Sequence, residues 1–372
     1  MRSPAPTPKA GIDNIKPHML GDAEVDLPPV SIALDSNECA MGASQYAIEA
    51  AQAASPVLDR YKVDASSVMA SAIAARFCID VNRIAVGPGS DELLARLARA
   101  YLSPGSELIR SANGYLKVPN YAYANDATPV SAPDSEFTAS VDSIINCLSS
   151  KTKMVYLANP DNPSGTYLPN NEIVRLHAAL PPDVLLVIDC AYAEYVTAVE
   201  ETSLTELVES TDNVVFTRTF SKIFGLAGAR VGWLYGPPEL VTTITKIGLT
   251  FPLSSSSLAA CTTALLDHNH YNRVFNTNAE MRNRLSNSLK DLGLKVYPSQ
   301  TNFVLAEITP SNSEKNSINA AGACAHLRQK GVAIRRFASP AYNHCVRITI
   351  GLESEQRIAI DLLKAYLSGE HR

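Results

Sequence analysis

Lys222 is the residue of this chain best placed for covalent chemistry. It ends the string Thr219-Phe220-Ser221-Lys222, which follows an apolar run that predicts a buried strand. Burial lowers the pKa of a lysine and so makes the neutral, nucleophilic amine available. Ser221 and Thr219 can donate hydrogen bonds to an anion, and Arg230 can bind one through two parallel hydrogen bonds. The alternative is a solvated lysine whose stem covers apolar surface, but the neighbouring segments favour chemistry.

Polar side chains follow two further predicted strands. Asp189 ends an apolar run, where a carboxylate is costly unless a cation meets it. Asn162 lies in Asn159-Pro160-Asp161-Asn162-Pro163-Ser164-Gly165, where proline and glycine favour a tight loop. Simpler alternatives are a helix N-cap for Asp189 and an ordinary turn for the Asn-Pro pairs. Because ligands of open α/β sheets bind at the carboxyl ends of strands, we expect Lys222, Asp189 and Asn162 to converge.

A glycine-rich segment precedes the helix predicted over 91–102. It reads Gly87-Pro88-Gly89-Ser90-Asp91-Glu92, and backbone N–H groups at such a helix start can bind an anion. The same letters would also make an ordinary helix N-cap. The segment fits neither GxxxxGK[ST] nor GxGxxG, so a P-loop and a dinucleotide site both lose support.

Helical stretches alternate with short apolar runs between about residues 45 and 270. The runs that predict strands are 107–110, 154–158, 184–188, 214–217 and 231–235. Several are apolar without alternation, which is typical of strands covered on both faces, so we predict an α/β fold with a mostly parallel sheet flanked by helices.

The alternation of predicted helices and strands changes after residue 275. A helix predicted over 276–292, strands over 302–307, 332–335 and 346–350, and helices near 317–330 and 354–367 indicate a smaller α+β domain. We therefore expect an N-terminal arm at 1–44 that packs with the small domain or a partner subunit. A large domain at 45–272 and a small domain at 273–372 complete the division.

Composition narrows the function classes. A net charge of -5 with no run of like charges predicts no basic surface that would bind nucleic acid or an anionic membrane. Seven cysteines without a CxxC pair, and scattered histidines, favour reduced thiols over a disulfide or metal framework. No apolar run approaches the ~18 residues of a membrane span, and residues 1–10 lack a signal peptide's apolar stretch. We expect a soluble cytoplasmic protein without a metal.

The four segments together resemble the fold-type I aminotransferases, and most closely the histidinol-phosphate aminotransferase branch. Three strings carry the resemblance: Ser-Lys-x-x-Gly-Leu-Ala-Gly-x-Arg, Asn-Pro-x-Asn-Pro-Ser-Gly and Asp-x-x-Tyr, in matching order over nearly the whole chain. The resemblance implies the cofactor pyridoxal 5'-phosphate, held by Lys222 as a Schiff base. Lys222, Asp189 and Tyr192 would be catalytic, with Asp189 on the ring nitrogen. The remaining cofactor contacts that the resemblance implies are Ser90, Asp91, Tyr115, Asn162, Thr219, Ser221 and Arg230.

The resemblance also assigns the substrate side. Arg347 would bind the α-carboxylate of an amino acid and Arg335 its distal anion, since two fixed guanidiniums suit a dual-anion substrate such as glutamate. Asn37 and His18 match positions near the substrate, and Arg336 reads as a surface charge. Tyr61 matches a tyrosine that reaches the phosphate of the partner subunit, which implies a homodimer.

The match departs from the family pattern on the substrate-facing side. Asn37-Glu38-Cys39-Ala40 stands where Asn-Glu-Asn-Pro is usual, Pro17-His18 where Pro-Tyr is frequent, and Asn113-Gly114-Tyr115 where Pro-Thr-Tyr is common. We therefore predict transamination between glutamate/2-oxoglutarate and histidinol phosphate, with another amino acid, for example an aromatic one, as the alternative. A decarboxylase of a phosphorylated amino acid is a second alternative. A cofactor-binding regulator is disfavoured because 372 residues leave no room for a DNA-binding domain.

Overall fold

The structure is a computed structural model that describes residues 6–15, 28–200, 202–308 and 318–369. Its strands are β1 (Ile32–Leu34), β2 (Ile84–Gly87), β3 (Glu107–Ser111), β4 (Thr128–Ala132), β5 (Thr152–Ala158), β6 (Leu185–Asp189), β7 (Val214–Thr219), β8 (Gly232–Tyr235), β9 (Phe303–Glu307), β10 (Val332–Arg336) and β11 (Cys345–Thr349).

Twelve α-helices occur in the described residues. They are α1 (Gln45–Ala54), α2 (Ala65–Phe77), α3 (Ser90–Tyr101), α4 (Val118–Tyr123), α5 (Val141–Asn146), α6 (Asn170–Ala179), α7 (Leu204–Glu209), α8 (Pro238–Lys246), α9 (Ser255–Leu266), α10 (His268–Asp291), α11 (Ala320–Gln329) and α12 (Glu353–Ser368). Within the same residues, no helix is long and apolar enough to cross a membrane.

Seven strands form the large sheet in the order β2-β8-β7-β6-β5-β3-β4. Every pairing among β3, β4, β5, β6 and β7 is parallel, and β8 alone runs antiparallel to its neighbours β2 and β7. The predicted mostly parallel sheet is therefore confirmed. The carboxyl ends of β2, β3, β5, β6 and β7 meet at one edge, where loop residues from distant parts of the chain come together.

Period-two alternation divides the apolar side chains of the large sheet between two cores. Leu186 and Ile188 of β6 belong to a core that includes residues of α1, α2, α6 and α9. Leu185 and Val187 face the other way, into a core with residues of α3, α4 and α8. A strand covered on both faces needs apolar residues at every position, which is why these runs lack a polar alternation. Asp189 continues the face of Leu185 and Val187, toward α3.

A second sheet of four strands has the order β1-β10-β11-β9. Its β1 comes from the N-terminal segment and pairs in parallel with β10, whereas β10, β11 and β9 are antiparallel to one another. Side chains of α10, α11 and α12 cover it in a separate apolar core. The predicted smaller α+β unit, built from the C-terminal region and the N-terminal arm, is confirmed, whereas its boundary at 272/273 stays a prediction because α10 runs through that point.

The N-terminal arm also contacts the large unit. The backbone N–H of Gly11 donates to Asp126 Oδ1 over 2.8 Å, just beyond α4.

Several element boundaries differ from those predicted. The helix predicted to start at residue 276 starts at His268, because Asp267 caps it by accepting a hydrogen bond from the His270 N–H over 2.9 Å. Strand β7 continues two residues beyond the predicted 214–217, to Thr219, since Thr219 still pairs with Gly232. Strands β1, β2 and β4 are short, and the apolar runs did not predict them.

The loop after Lys222 depends on a glycine with left-handed backbone. Gly225 has φ +66°, and a Cβ there would lie 2.2 Å from the carbonyl oxygen of Gly42. We expect Gly225→Ala to lower the free energy of unfolding by about 2 to 4 kcal/mol, because left-handed strain and a backbone clash add. Urea unfolding followed by circular dichroism measures this.

Gly228 supplies the matched control in the same loop, because a Cβ there would meet no atom within 4 Å. Gly228→Ala should stay within about 0.5 kcal/mol of the parent. Equal stability of the two alanine variants would contradict the prediction.

Candidate active site

A buried carboxylate occupies the end of β6. Asp189 pairs in register with Ala158 of β5 and Thr217 of β7, in the middle of the sheet edge. Tyr156 Oη donates to Asp189 Oδ2 over 2.8 Å, and Thr217 Oγ1 donates to Oδ1 over 3.0 Å. Both donors are neutral, and burial raises the pKa of Asp189. The carboxylate is oriented by fixed hydrogen bonds, and within the described part of the chain no lysine or arginine forms a direct ion pair with it.

The Lys222 amine lies against the N-terminal segment. Its Nζ donates to the carbonyl oxygen of Asn37 over 3.2 Å and lies 5.5 Å from the centre of the Tyr192 ring. Burial, and after it the charge of Arg347, lowers the pKa of Lys222 to about 8. A substantial fraction of this amine is therefore neutral and nucleophilic near neutral pH.

Asn37 links the two sheets around that amine. Its Nδ2 donates to Tyr192 Oη over 2.9 Å, and its backbone N–H donates to Thr349 Oγ1 of β11 over 3.0 Å. Burial raises the pKa of Tyr192 to about 12. Asn302 Nδ2 donates to the Asn37 carbonyl over 3.0 Å, so this carbonyl accepts from Lys222 and from Asn302 together.

Strands β2, β8 and β7 bring a set of anion-binding groups together. Gly87 pairs with Gly232, and Gly232 pairs with Thr219, which aligns the three chain segments in register. Thr219 Oγ1 donates to Ser221 Oγ over 2.9 Å, and Arg230 Nη1 lies 3.4 Å from that same oxygen.

The chain segments around Gly89 and Gly232 lie very close to their neighbours here. A Cβ at Gly89 would lie 2.7 Å from Arg230 Nη2, and a Cβ at Gly232 would lie 2.2 Å from the Ser90 nitrogen. Gly89 precedes α3 with φ +96°, and the N–H groups of Ser90 and Asp91 lie in the first turn of α3, where a helix has no carbonyl of its own to offer them.

Tyr115 and Asp91 lie beside this set of anion-binding groups. The Asp91 carboxylate accepts hydrogen bonds from the Lys117 amine and from the Tyr121 hydroxyl. The backbone N–H of Asp91 takes no part in these bonds. Tyr115 is half-buried, and burial together with the Asp91 charge raises its pKa. Its ring packs against the same apolar core as Tyr156 and Ala158, on the face of the sheet that carries Asp189.

Two arginines are cross-strand neighbours in the small sheet. Arg335 of β10 pairs in register with Arg347 of β11. Arg347 is buried, donates from Nη1 to Asn162 Oδ1 over 2.7 Å and from Nη2 to the Asp35 carbonyl over 2.6 Å. Both acceptors are neutral, and Nε has no hydrogen-bond partner among the described residues. Burial lowers the pKa of Arg347 to about 10.

Aromatic rings flank the Arg347 guanidinium, whose carbon lies 5.1 Å from the Phe303 ring centre and 5.7 Å from that of Phe337. Arg336, predicted to be a surface charge, is exposed.

The structure thus brings together the residues at positions 37, 90, 91, 115, 162, 189, 192, 219, 221, 222, 230, 335 and 347. Tyr61 lies apart from them: its side chain is 76% exposed and its ring stacks on Phe251. His18 lies outside the described residues.

Sequence reasoning missed three contributors, Tyr156, Thr217 and Asn302. Tyr156 and Thr217 each stand two residues before the end of a strand, on the face of Asp189, but only the register of β5 and β7 beside β6 brings them to it. Asn302 has no local signal, because its partners are some 265 residues away. Among the described residues, no group of three His, Cys, Asp or Glu side chains could hold a metal ion.

Comparisons with known proteins match this geometry. A family model described as aminotransferase class I and II matches residues 29–361. The chain is 40% identical over 363 residues to the histidinol-phosphate aminotransferase of Paramagnetospirillum magneticum, which covers 98% of this chain and 99% of the relative. It is 41% identical over 364 residues to the enzyme of the same name from Rhodospirillum centenum, with the same coverage.

A solved structure carries a ligand as well as the fold. The Sinorhizobium meliloti histidinol-phosphate aminotransferase in complex with pyridoxal-5'-phosphate superposes with a TM-score of 0.83 over 92% of each chain, at 27% identity.

The lowered pKa of Lys222 predicts a pH profile for capture of pyridoxal phosphate by the cofactor-free protein. The neutral amine is the reactive form, so the rate should rise about tenfold from pH 7 to pH 9 and then level off, as for a group with a pKa of about 8. Stopped-flow absorbance measures the rate.

Arg347→Met removes a charge that lowers this pKa, so its profile should shift to higher pH. A parent rate that still climbs steeply at pH 10, as for an ordinary lysine, would show that the amine is not perturbed.

Proposed function

Because this chain belongs to the class I and II aminotransferases and is a pyridoxal-phosphate-dependent transaminase, we propose that it moves an amino group between glutamate and the oxo partner of histidinol phosphate. The proposal rests on a low-pKa lysine and a buried carboxylate at one edge of the large sheet, with two adjacent arginines of the small sheet beside them. The names of the relatives supply the substrate, and the site chemistry agrees with it.

The residues present fit the cofactor. A ring nitrogen that carries a proton would provide the charge that Asp189 lacks, and the space beside Gly89 that a Cβ would fill suits a phosphate between Arg230, Ser221 and the start of α3. Tyr192 and Asn162 would bind the ring oxygen, and Tyr115 would stack on the ring face. When bound, pyridoxal phosphate provides an electron sink for the pair released at the substrate Cα.

Lys222 would hold the cofactor and then move a proton. Its amine, with a pKa of about 8, can accept the proton that leaves the substrate Cα and return it at neutral pH. The Asn37 carbonyl, 3.2 Å from Nζ, orients the amine within the site.

The arginine pair would select a substrate with two anions. Arg347, already fixed by Asn162 and the Asp35 carbonyl, keeps its Nε free for a carboxylate. Arg335 lies in register beside it and would take the distal carboxylate of glutamate or a phosphate. His18 would contact the same group. We further propose a cytoplasmic enzyme of histidine biosynthesis, with an arm (1–44), a large domain (45–272) and a small domain (273–372).

A half-reaction screen tests the substrate assignment. The purified holoenzyme is mixed with glutamate or with histidinol phosphate alone, and the visible absorbance of the bound cofactor is followed. We expect both compounds to convert the cofactor. Conversion by glutamate but not by histidinol phosphate would remove the named substrate and keep the enzyme class. Release of CO2 without a need for 2-oxoglutarate would favour a decarboxylase.

Lys222→Ala supplies the control for the chemistry. It should lose the visible absorbance of the lysine-bound cofactor and at least about a thousandfold in turnover, because the proton carrier is missing. Turnover at the parent rate would contradict the role of Lys222.

We also propose a homodimer, with Tyr61 at the partner's active site. An apolar surface patch supports it: Leu58, Tyr61, Val63 and Leu249 are 60%, 76%, 82% and 59% exposed. The Tyr61 and Phe251 rings stack 4.3 Å apart and join the two segments into one surface. Apolar patches of this kind mark protein interfaces.

Light scattering should give twice the 40.0 kDa chain mass. Val63→Asp should yield the monomer, because a charge would be buried in the interface. Val199→Asp, at a position that is 95% exposed elsewhere, should leave the mass unchanged. A dimeric Val63→Asp variant would place the interface elsewhere.

A further inference from the structure

The loop that carries Tyr115 is fixed by a buried arginine. Arg110, at the end of β3, donates from Nη1 to the carbonyls of Ser111 and Gly114 over 2.8 and 3.3 Å, and from Nη2 to the carbonyl of Ala112 over 2.9 Å. One guanidinium therefore binds three backbone carbonyl oxygens of the same short loop. Because no proline stiffens residues 112–115, these bonds set the path of the chain into Tyr115.

Asp134 holds the loop from its other side. Its Oδ2 accepts from Ser111 Oγ over 3.0 Å and from the Asn113 N–H over 2.9 Å, and its Oδ1 accepts from Asn113 Nδ2 over 2.8 Å.

A second buried ionisable group, the carboxyl of Asp161, faces the same loop from the segment after β5, and burial raises its pKa well above the usual range. Asp161 is 4% exposed, and its Oδ1 accepts from the Asn162 N–H over 2.7 Å. Its carboxylate packs on Gly114, where a Cβ would lie 3.3 Å from each oxygen. Asp161 thereby joins the loop of Tyr115 to the loop of Asn162, and Asn162 binds Arg347.

Two polar atoms remain unpaired between these loops. Arg110 Nε and Asp161 Oδ2 are both buried without a hydrogen-bond partner in the described part of the chain. Both residues line one small cavity, with room for about one water molecule, together with Tyr115, Tyr156 and Ala158. One atom is a donor with a positive charge and the other an acceptor, which is the polar lining that a buried water requires.

We propose that Arg110 and Asp161 are positioning residues of the cofactor site, joined by one buried water that accepts from Arg110 Nε and donates to Asp161 Oδ2. The pair fixes the loop of Tyr115 against the loop of Asn162, so the ring-stacking side chain and the Arg347 partner keep one relative position. The inference rests on the proposed stacking role of Tyr115.

Arg110→Met tests the proposal in the full-length protein, stripped of cofactor and titrated with pyridoxal phosphate. We expect the dissociation constant to rise about tenfold, because the stacking loop loses its fixed geometry. The visible circular dichroism per bound cofactor, which reports how the ring is held, should fall. Arg175→Met is the matched control: this surface arginine pairs with Asp142 and Glu172, and its loss should change neither quantity. A lower melting temperature with parent affinity and dichroism would overturn the proposal.

Arg110→Lys provides a second variant if Arg110→Met fails to fold. It keeps the charge, but a single ammonium cannot span three carbonyls in the plane of a guanidinium. Affinity and dichroism should therefore fall as for Arg110→Met, and parent values would overturn the role of the guanidinium geometry.

A double-mutant cycle separates this inference from the proposed function. Tyr115→Leu alone should weaken cofactor binding, and adding Arg110→Met to it should cost less than about twofold more, because both changes act through one ring. Additive losses would overturn the coupling. A parent affinity for Tyr115→Leu would instead overturn the proposed stacking role, and this inference with it.

A crystal structure of the holoenzyme should show the water within hydrogen-bond distance of Arg110 Nε and Asp161 Oδ2. A cavity without that water, or one filled by side chains, would contradict the proposed bridge.

Discussion

A buried carboxylate without a cation is the constraint on which the rest of this site depends. Asp189 ends a strand that is covered on both faces, and its hydrogen-bond donors among the described residues are two neutral hydroxyls and the backbone at Ala191. Removing an ion from water costs several kcal/mol even after relaxation. The buried carboxyl group is therefore stable only when it is protonated or when a positively charged ligand pairs with it. The raised pKa of Asp189 records that cost in the cofactor-free protein. A protonated ring nitrogen, held there as proposed, would offset that cost, so cofactor binding would also stabilise the charged form of Asp189.

The cations of the site carry the complementary constraint. Burial lowers the pKa of Lys222 and of Arg347. The charge of Arg347 lowers the pKa of Lys222 further, and the charge of Arg335 lowers that of Arg347 further. Positive charge gathered in one site favours anions. A substrate carboxylate bound between the arginines, as proposed, would offset their repulsion, so the proposed selectivity and the nucleophilicity of the lysine would share one electrostatic origin.

Short polar contacts join the two sheets, beside the apolar packing of Phe303 of β9 in the core that holds Tyr192. Asn37 bonds to Tyr192 from the large sheet and to Thr349 from the small one, and its carbonyl accepts from Lys222. Arg347 reaches from β11 to Asn162 in the same way. These bonds have directional geometry, so the position of the small sheet sets the position of the substrate arginines over the lysine.

The sequence alone determined the family, the cofactor and the α/β class. Strings such as Ser221-Lys222 and the Asn-Pro loop are local, and apolar runs without alternation, such as 184–188, already require a sheet covered on both faces. Tertiary structure alone decided which side chains orient Asp189, that Arg335 lies in register with Arg347, and that Arg110 and Asp161 line one cavity. Those contacts depend on strand register and on pairings between separate segments of the chain, and a one-residue slip would turn each side chain to the opposite face.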